Sequence, residues 1–408
     1  MGFPGTRSFL PVLMSRLAAA CLLAGSVSSC STPERLSAVP AAQTALAQPA
    51  IGNARYLVGL DSGPLADEAR QALRKEQAWL DSQGRQGPLP PAYYLAISGG
   101  ADDGAFGAGL LTGWTAAGTR PDFKVVTGVS TGALAAPFAF LGPAYDPMLE
   151  KVYTTISARD VFKKRGMVRG VMADGMADSA PLRRMIDHYV DKKLLDAIAG
   201  EYAKGRLLLV GTADLDALEP VIWNMTAIAA SQDPRAPELF RRVLVASASI
   251  PGLFPPVMID VTVDGVRHQE MHVDGGTMAQ IFLYPPSLTS GSGAAIAPRR
   301  RVLYLIRNSR TDADWTNVKR RTLPIASRAV SSLIRTQGIG DLYRIYATSR
   351  RDGLEYNLAV IPSSFKAARS GPFDTNYMRE LYALGRDAGA KGYEWRNTPP
   401  GYDQDSAD

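Results

Sequence analysis

Two stretches of this chain join a short apolar run to a glycine turn and then to small residues at helical spacing. That repeated order constrains the fold more than any other feature. "YYLAIS" (93–98) runs into "GGADDGAFGAGLLTGW", and "FKVVTGVS" (123–130) runs into "TGALAAPFAFL". Short apolar runs bounded by glycine read as buried strands, and the small-residue stretches after them read as helices. The alternation continues along the chain. "RLLLVGTADL" (206–215), "EPVIWNM", "RRVLYLIRNS" and "LEYNLAVIP" read as strands. Helical patterns cover 65–82, 181–199, 238–250 (stopped by Pro251) and 322–351, while 257–276 reads as a hairpin turning at Asp264-Gly265. Strands alternating with helices predict an α/β chain folded as a three-layer α/β/α domain with a mainly parallel central sheet.

With 408 residues and 46% hydrophobic content, the chain can bury a large core, and no composition shift between 60 and 395 marks a second domain. One domain over 61–395 is expected, followed by a disordered tail over 396–408. Lys and Arg number 45 against 39 Asp and Glu, a net charge of +6. That mild excess argues for no nucleic acid, and no nucleic-acid motif accompanies it; it is compatible with an anionic lipid surface.

Residues 1–30 do not read as fold. Arg7 and Arg16, an absence of acids, the apolar run Leu17–Val27 and then small residues make the pattern of a secretory signal peptide, too short to span a bilayer. The ending "VSSC" resembles the lipobox of bacterial lipoproteins, in which the cysteine becomes the acylated first residue. Cys30 is the expected lipidation site. "LAAAC" at Cys21 fits more loosely because it leaves a very short apolar run, and a plain signal with an incidental cysteine is the alternative. The resemblance implies a lipid-anchored protein of the bacterial cell envelope, with Ser31 after the cysteine pointing to the outer membrane. Residues 31–60, rich in Ala, Pro, Ser and Gln, are expected to be a flexible tether. The folded domain then holds no thiol and only three histidines, so no cysteine-based metal site or disulfide is expected.

Three elements carry candidate chemistry. Ser130 stands between Gly128 and Gly132 at a predicted strand-to-helix turn, the context of a nucleophile elbow, where paired glycines permit a strained turn that presents the hydroxyl. The bland alternative is a turn without chemistry. "SGGADDGAFGAG" (98–109) also follows a strand. It lacks the spacing of a phosphate or dinucleotide loop. As an oxyanion hole it would offer the backbone N–H groups of Gly99, Gly100 and Ala101. In "HVDGG" (272–276), Asp274 precedes two glycines, which by itself reads as a β-turn.

Taken in order, the Gly-rich loop, G-x-S-x-G about thirty residues on and D-G-G far downstream resemble the patatin-like phospholipases, as does "ASASIPGLFPPVMI" (246–259) before the aspartate. The resemblance covers about residues 92–310. It implies that Ser130 is the nucleophile, Asp274 the base of a Ser–Asp dyad, and 99–104 the oxyanion loop. It implies a lipid acyl hydrolase acting on phospholipids or lysophospholipids through an acyl-enzyme, with no metal or cofactor; protein partners are left open. One departure stands out. The family's loop carries a third glycine and an Arg or Lys where this chain has Ala101, Asp102 and Asp103. Asp103 is expected to cap the following helix, and a carboxylate beside the hole would oppose the oxyanion unless it points away. An α/β-hydrolase triad would need a histidine after the acid, and none follows Asp274. His272 is expected to be structural. Two other readings remain open: an anchored lipid-binding or assembly protein with a vestigial site, and an esterase of small soluble esters.

Overall fold

The computed structural model describes residues 34–57, 59–60, 63–166, 173–284, 299–312 and 315–402. The expected signal peptide and Cys30 lie outside the described residues. Among the described residues, ten strands form one sheet. They are β1 (Gln48–Pro49), β2 (Arg55–Leu57), β3 (Ala92–Ile97), β4 (Val125–Val129), β5 (Leu207–Asp214), β6 (Glu219–Asn224), β7 (Val257–Val263), β8 (Val266–Asp274), β9 (Arg301–Arg307) and β10 (Glu355–Val360). The helices used below are α1 (Gly63–Ser82), α2 (Gly104–Ala116), α3 (Thr131–Leu141), α4 (Asp146–Thr155), α5 (Ala180–Tyr189), α6 (Lys192–Ala203), α7 (Ala236–Ser247), α8 (Thr322–Asp352) and α9 (Thr375–Ala390).

The centre of the sheet, β5-β4-β3-β9-β10, is parallel throughout. Its strands are apolar almost end to end because helices cover both faces. On one face α2 and α9 pack backbone to backbone. A Cβ on Gly109 would lie 2.0 Å from the Tyr382 carbonyl oxygen, and one on Gly385 would lie 2.3 Å from that of Phe106. Only glycine allows the two helices so close. Outside the parallel centre, β8 pairs antiparallel with β5 and β7, and the β7–β8 turn at Asp264-Gly265 has positive φ at both residues, as a tight hairpin requires.

Strand β5 organises the site. Strand β6 pairs with β5 over 209–214, so β4 and β8 must share its other edge. Strand β4 runs beside Leu207–Gly211, and β8 approaches from the opposite direction beside Thr212–Asp214. The two strands therefore meet end to end, with Ser130 following one and Asp274 ending the other.

Two expectations need correction. The described part of 31–60 is no tether. Strand β1 pairs with β7 and β2 with β6, while the Arg35 guanidinium pairs with Asp216 and Arg55 is buried against Glu270 and the Ala47 carbonyl. This segment is held by backbone pairing and buried ion pairs, so its paucity of large apolar residues misled. The start of the expected tail is likewise anchored. Arg396 and Leu358 exchange backbone hydrogen bonds of 3.0 and 2.8 Å, and Tyr402 packs on Tyr346; residues 403–408 lie outside the described residues.

Candidate active site

Ser130 follows β4 and opens α3 with φ 56° and ψ −124°, a left-handed conformation that a non-glycine residue adopts only under constraint. The flanking glycines are the constraint. A Cβ on Gly128 would lie 2.5 Å from the Gly132 carbonyl oxygen, and one on Gly132 would lie 2.2 Å from that of Ile97. The turn is thus folded tightly against the neighbouring strand. The Ser130 N–H donates to Ser247 Oγ at 3.0 Å, and that hydroxyl donates to the Gly211 carbonyl at 2.7 Å. Ser247, in the stretch that resembles the family's segment before the aspartate, is a brace that sequence reasoning did not identify.

Asp274 is held as firmly. Its N–H donates to the Ser249 carbonyl at 2.9 Å, and its carboxylate accepts from the Gly276 N–H at 2.8 Å. Gly275 cannot carry a side chain, since a Cβ would lie 2.5 Å from the Gly211 carbonyl oxygen. Burial pushes the Asp274 carboxyl up to about 6, opposed by hydrogen bonds from the Ser130 hydroxyl and the Gly276 amide. The fold thus brings Ser130 and Asp274 together across 144 residues of chain.

The glycine loop lies beside them, with one correction. A Cβ on Gly99 would lie 3.2 Å from that of Ser130, but the Gly99 N–H donates to the Gln280 carbonyl at 3.0 Å. It is therefore spent on the fold and not available to an oxyanion. Among the described residues, the N–H groups of Gly100 and Ala101 donate to no protein acceptor. Gly100 has φ 154° and packs where a Cβ would be 2.0 Å from the Asn308 carbonyl oxygen; Ala101 itself has φ 51°. Asn308 fastens the loop, its Nδ2 donating to the Ser98 carbonyl at 3.0 Å and its Oδ1 accepting from the Gly107 N–H at 3.1 Å. Gln280 ties the loop to the aspartate turn, its Nε2 donating to the Gly276 carbonyl at 2.8 Å. Neither residue lies in a motif, and no sequence signal marked them.

The acidic pair also finds its explanation. Asp102 is buried and paired with Arg369, and it accepts the Phe373 N–H at 2.9 Å. Asp103 occupies the N-cap position of α2 without capping it; its carboxylate accepts instead from the Tyr377 hydroxyl at 2.7 Å. The expected helix cap is thereby corrected, because a tyrosine from α9 reaches the carboxylate. Asp102 is directed at the segment before α9 and Asp103 at α9 itself, and a cation absent from the loop arrives from far along the chain.

An apolar cleft opens from Ser130 and Ala101, lined by Leu134, Ile156, Leu182, Phe254 and Phe373 among others. Phe373, at φ 55°, is itself strained against this cleft. The histidines are engaged elsewhere. His272 is fully buried, with Nδ1 3.0 Å from Thr212 Oγ1 and Nε2 3.2 Å from Glu270 Oε2; His268 meets Ser37 and the Ala38 carbonyl; His188 is exposed. Asp214, Glu270 and His272 lie close enough together to hold an ion, but Arg55 already pairs with Glu270 there.

A strained serine turn, a buried aspartate facing it and a glycine loop whose Gly100 and Ala101 amides meet no acceptor among the described residues sit at one end of the parallel centre of the sheet. Residues 95–285 match the family model of patatin-like phospholipases. The chain carries a patatin-like domain. Among solved structures, the chain is similar to VipD from Legionella pneumophila, at 10% identity and a TM-score of 0.36, over 75% of this chain and 67% of that one. It is also similar to the human GIVD cytosolic phospholipase A2, at 12% identity and a TM-score of 0.32, over 76% of this chain and 55% of that one. No curated protein matches the chain in sequence.

Proposed function

We propose that this patatin-like chain is a serine lipid acyl hydrolase using Ser130 and Asp274 as a catalytic dyad. The observation that carries the reading is the strained Ser130 facing a buried Asp274 whose pKa is raised to about 6, with every histidine engaged elsewhere or exposed. A base with that pKa is ionised at neutral pH yet holds a proton well enough to accept one from a hydroxyl. Asp274 takes the Ser130 proton as Oγ attacks the ester carbonyl. The Gly100 and Ala101 amides receive the developing oxyanion. Collapse expels the alcohol, protonated by Asp274, and leaves an acyl-serine. Asp274 then deprotonates the water that releases the fatty acid. The cleft from Leu134 to Phe373 gives the acyl side of an ester an apolar lining beside Ser130, and phospholipids or lysophospholipids are the substrates proposed.

The acidic loop was the one feature favouring a vestigial site, and its pairing with Arg369 and Tyr377 removes that objection. The reading is tested by fluorophosphonate labelling of wild type beside Ser130→Ala, followed by a panel of diacyl and lyso lipids. Labelling of both proteins alike would remove Ser130 from the mechanism. Anchorage through an acylated Cys30 in the bacterial envelope belongs to the same proposal and rests on the sequence. Palmitate incorporation should be lost in Cys30→Ser, and equal incorporation would defeat it.

A further inference from the structure

Helix α8 is much longer than the strand it covers. Its C-terminal end lies at the start of β9, where the Arg301 guanidinium donates to the Asp352 carbonyl. Its middle lies at the end of β9, where a Cβ on Gly338 would be 2.5 Å from Arg307 Nη1. There Arg335 also donates to the Thr311 and Asp312 carbonyls at 2.5 and 3.2 Å. The stretch from Gly338 to Asp352 therefore matches the length of β9. The residues before Arg335 extend past the end of the strand by about 20 Å. That is the end where β3, β4 and β9 deliver the glycine loop, Ser130 and Asn308.

This projecting half is apolar on the side away from the protein. Ile325, Val330 and Leu333 are 50%, 53% and 70% exposed, with exposed Ala326 and Ala329 between them on the same helical face. Arg328 and Arg335 fall on the opposite, half-buried side. The segment leading into the helix adds Trp315, 86% exposed, and the exposed cations Lys319, Arg320 and Arg321. From 315 to 340 the sequence contains no Asp or Glu. An exposed apolar helical face edged by consecutive cations and a tryptophan is the chemistry of an interfacial helix. A second copy of the same face would bring like charges together.

We propose that residues 315–334 form a docking surface for an anionic lipid bilayer, presenting the Ser130 end of the sheet to the membrane. The choice of a bilayer as occupant rests on the acyl-hydrolase reading, whereas the surface itself does not. Docking of this kind is separate from any anchor at Cys30.

The test places an environment-sensitive fluorophore at position 333 through Leu333→Cys in the full chain. Cys21→Ser and Cys30→Ser remove the two native cysteines. A control chain carries Gln83→Cys, exposed just before β3 at the opposite end of the sheet. Phosphatidylglycerol vesicles should blue-shift the label at position 333 and leave the control label unchanged; phosphatidylcholine vesicles should act weakly. Lys319→Gln, Arg320→Gln and Arg321→Gln together should weaken the response by roughly tenfold to a hundredfold, while hydrolysis of a short soluble ester is unchanged. An unshifted label, or equal shifts at both positions, overturns the proposal. So does a label at position 333 already shielded without lipid, which would mean another stretch of this chain covers the face. A shift that tracks protein concentration without lipid would make it an interface between copies. Vesicle binding that persists in a protein unable to cleave any ester would leave the docking surface standing and remove the hydrolase reading instead.

Discussion

Arg369 clasps Asp102 across 267 residues of chain, its Nε–H donating to Oδ2 at 3.0 Å, and the Phe373 N–H meets the same oxygen at 2.9 Å. One buried carboxylate thus joins the start of the glycine loop to the segment that puts Phe373 into the apolar cleft.

Arg369→Ala should therefore disturb both sides of that joint. Asp102 would stay buried with its ion-pair partner gone, a loss usually worth several kcal/mol. Because Arg369 is 40% exposed, water screens part of the pair, and about 1–3 kcal/mol is the expected cost. Thermal unfolding should show that loss, with ester hydrolysis falling as the loop loosens. Asp102→Asn in the same chain should restore much of the stability. Unchanged stability and turnover in Arg369→Ala would reduce the pair to surface decoration.

The raised pKa of Asp274 gives opposite signs for activity and stability. The carboxyl must be ionised to act as base, so kcat/KM should fall tenfold per pH unit below about 6. The folded state binds this proton more tightly than the unfolded chain, whose Asp titrates near 3.8. Ionised Asp274 therefore destabilises the fold at neutral pH, and the penalty fades as pH drops from about 6 towards 4. Asp274→Asn should abolish hydrolysis yet raise stability at pH 7 by on the order of 2–3 kcal/mol. Denaturant titrations at pH 7 and pH 4 check this: the gain should be present at the first and nearly gone at the second.

Two glycines should fail in different ways. In Gly100→Val the new side chain would meet the Asn308 carbonyl and displace one oxyanion donor. Such a loss costs ~10²–10³ in rate. In Gly132→Ala the Cβ would lie 2.2 Å from the Ile97 carbonyl oxygen inside the packed elbow, so folding itself should suffer. Activity normalised to folded protein separates the cases. A Gly100→Val enzyme of normal rate would relocate the oxyanion hole.

His272 distinguishes a dyad from a triad. Its ring is held between Thr212 and Glu270, so His272→Gln should cost roughly 1–3 kcal/mol through the broken buried network. The folded fraction should keep most of its turnover. If that fraction instead loses activity by the factor seen in Ser130→Ala, imidazole is the base and the Ser130–Asp274 dyad is wrong.

The elbow was legible in the sequence because its requirements are local. Gly128, Ser130 and Gly132 satisfy a steric demand made within a few residues, and the flanking strand and helix declare themselves by their own periodicity. The alternation of such units likewise determined the layered parallel architecture. Asp274 was marked only by its place in a longer pattern, since Asp-Gly alone is an ordinary turn. What the tertiary structure decided are the partners. Ser247, Gln280, Asn308 and Arg369 sit in unremarkable contexts and matter only through what they touch. The Gly99 amide was removed from the expected oxyanion donors by a carbonyl at residue 280, and the described part of 31–60 gained its order from strand pairing and from Glu270. Periodicity records which face of an element is buried, whereas the partner of a backbone amide or a buried charge depends on which distant segment the fold brings beside it.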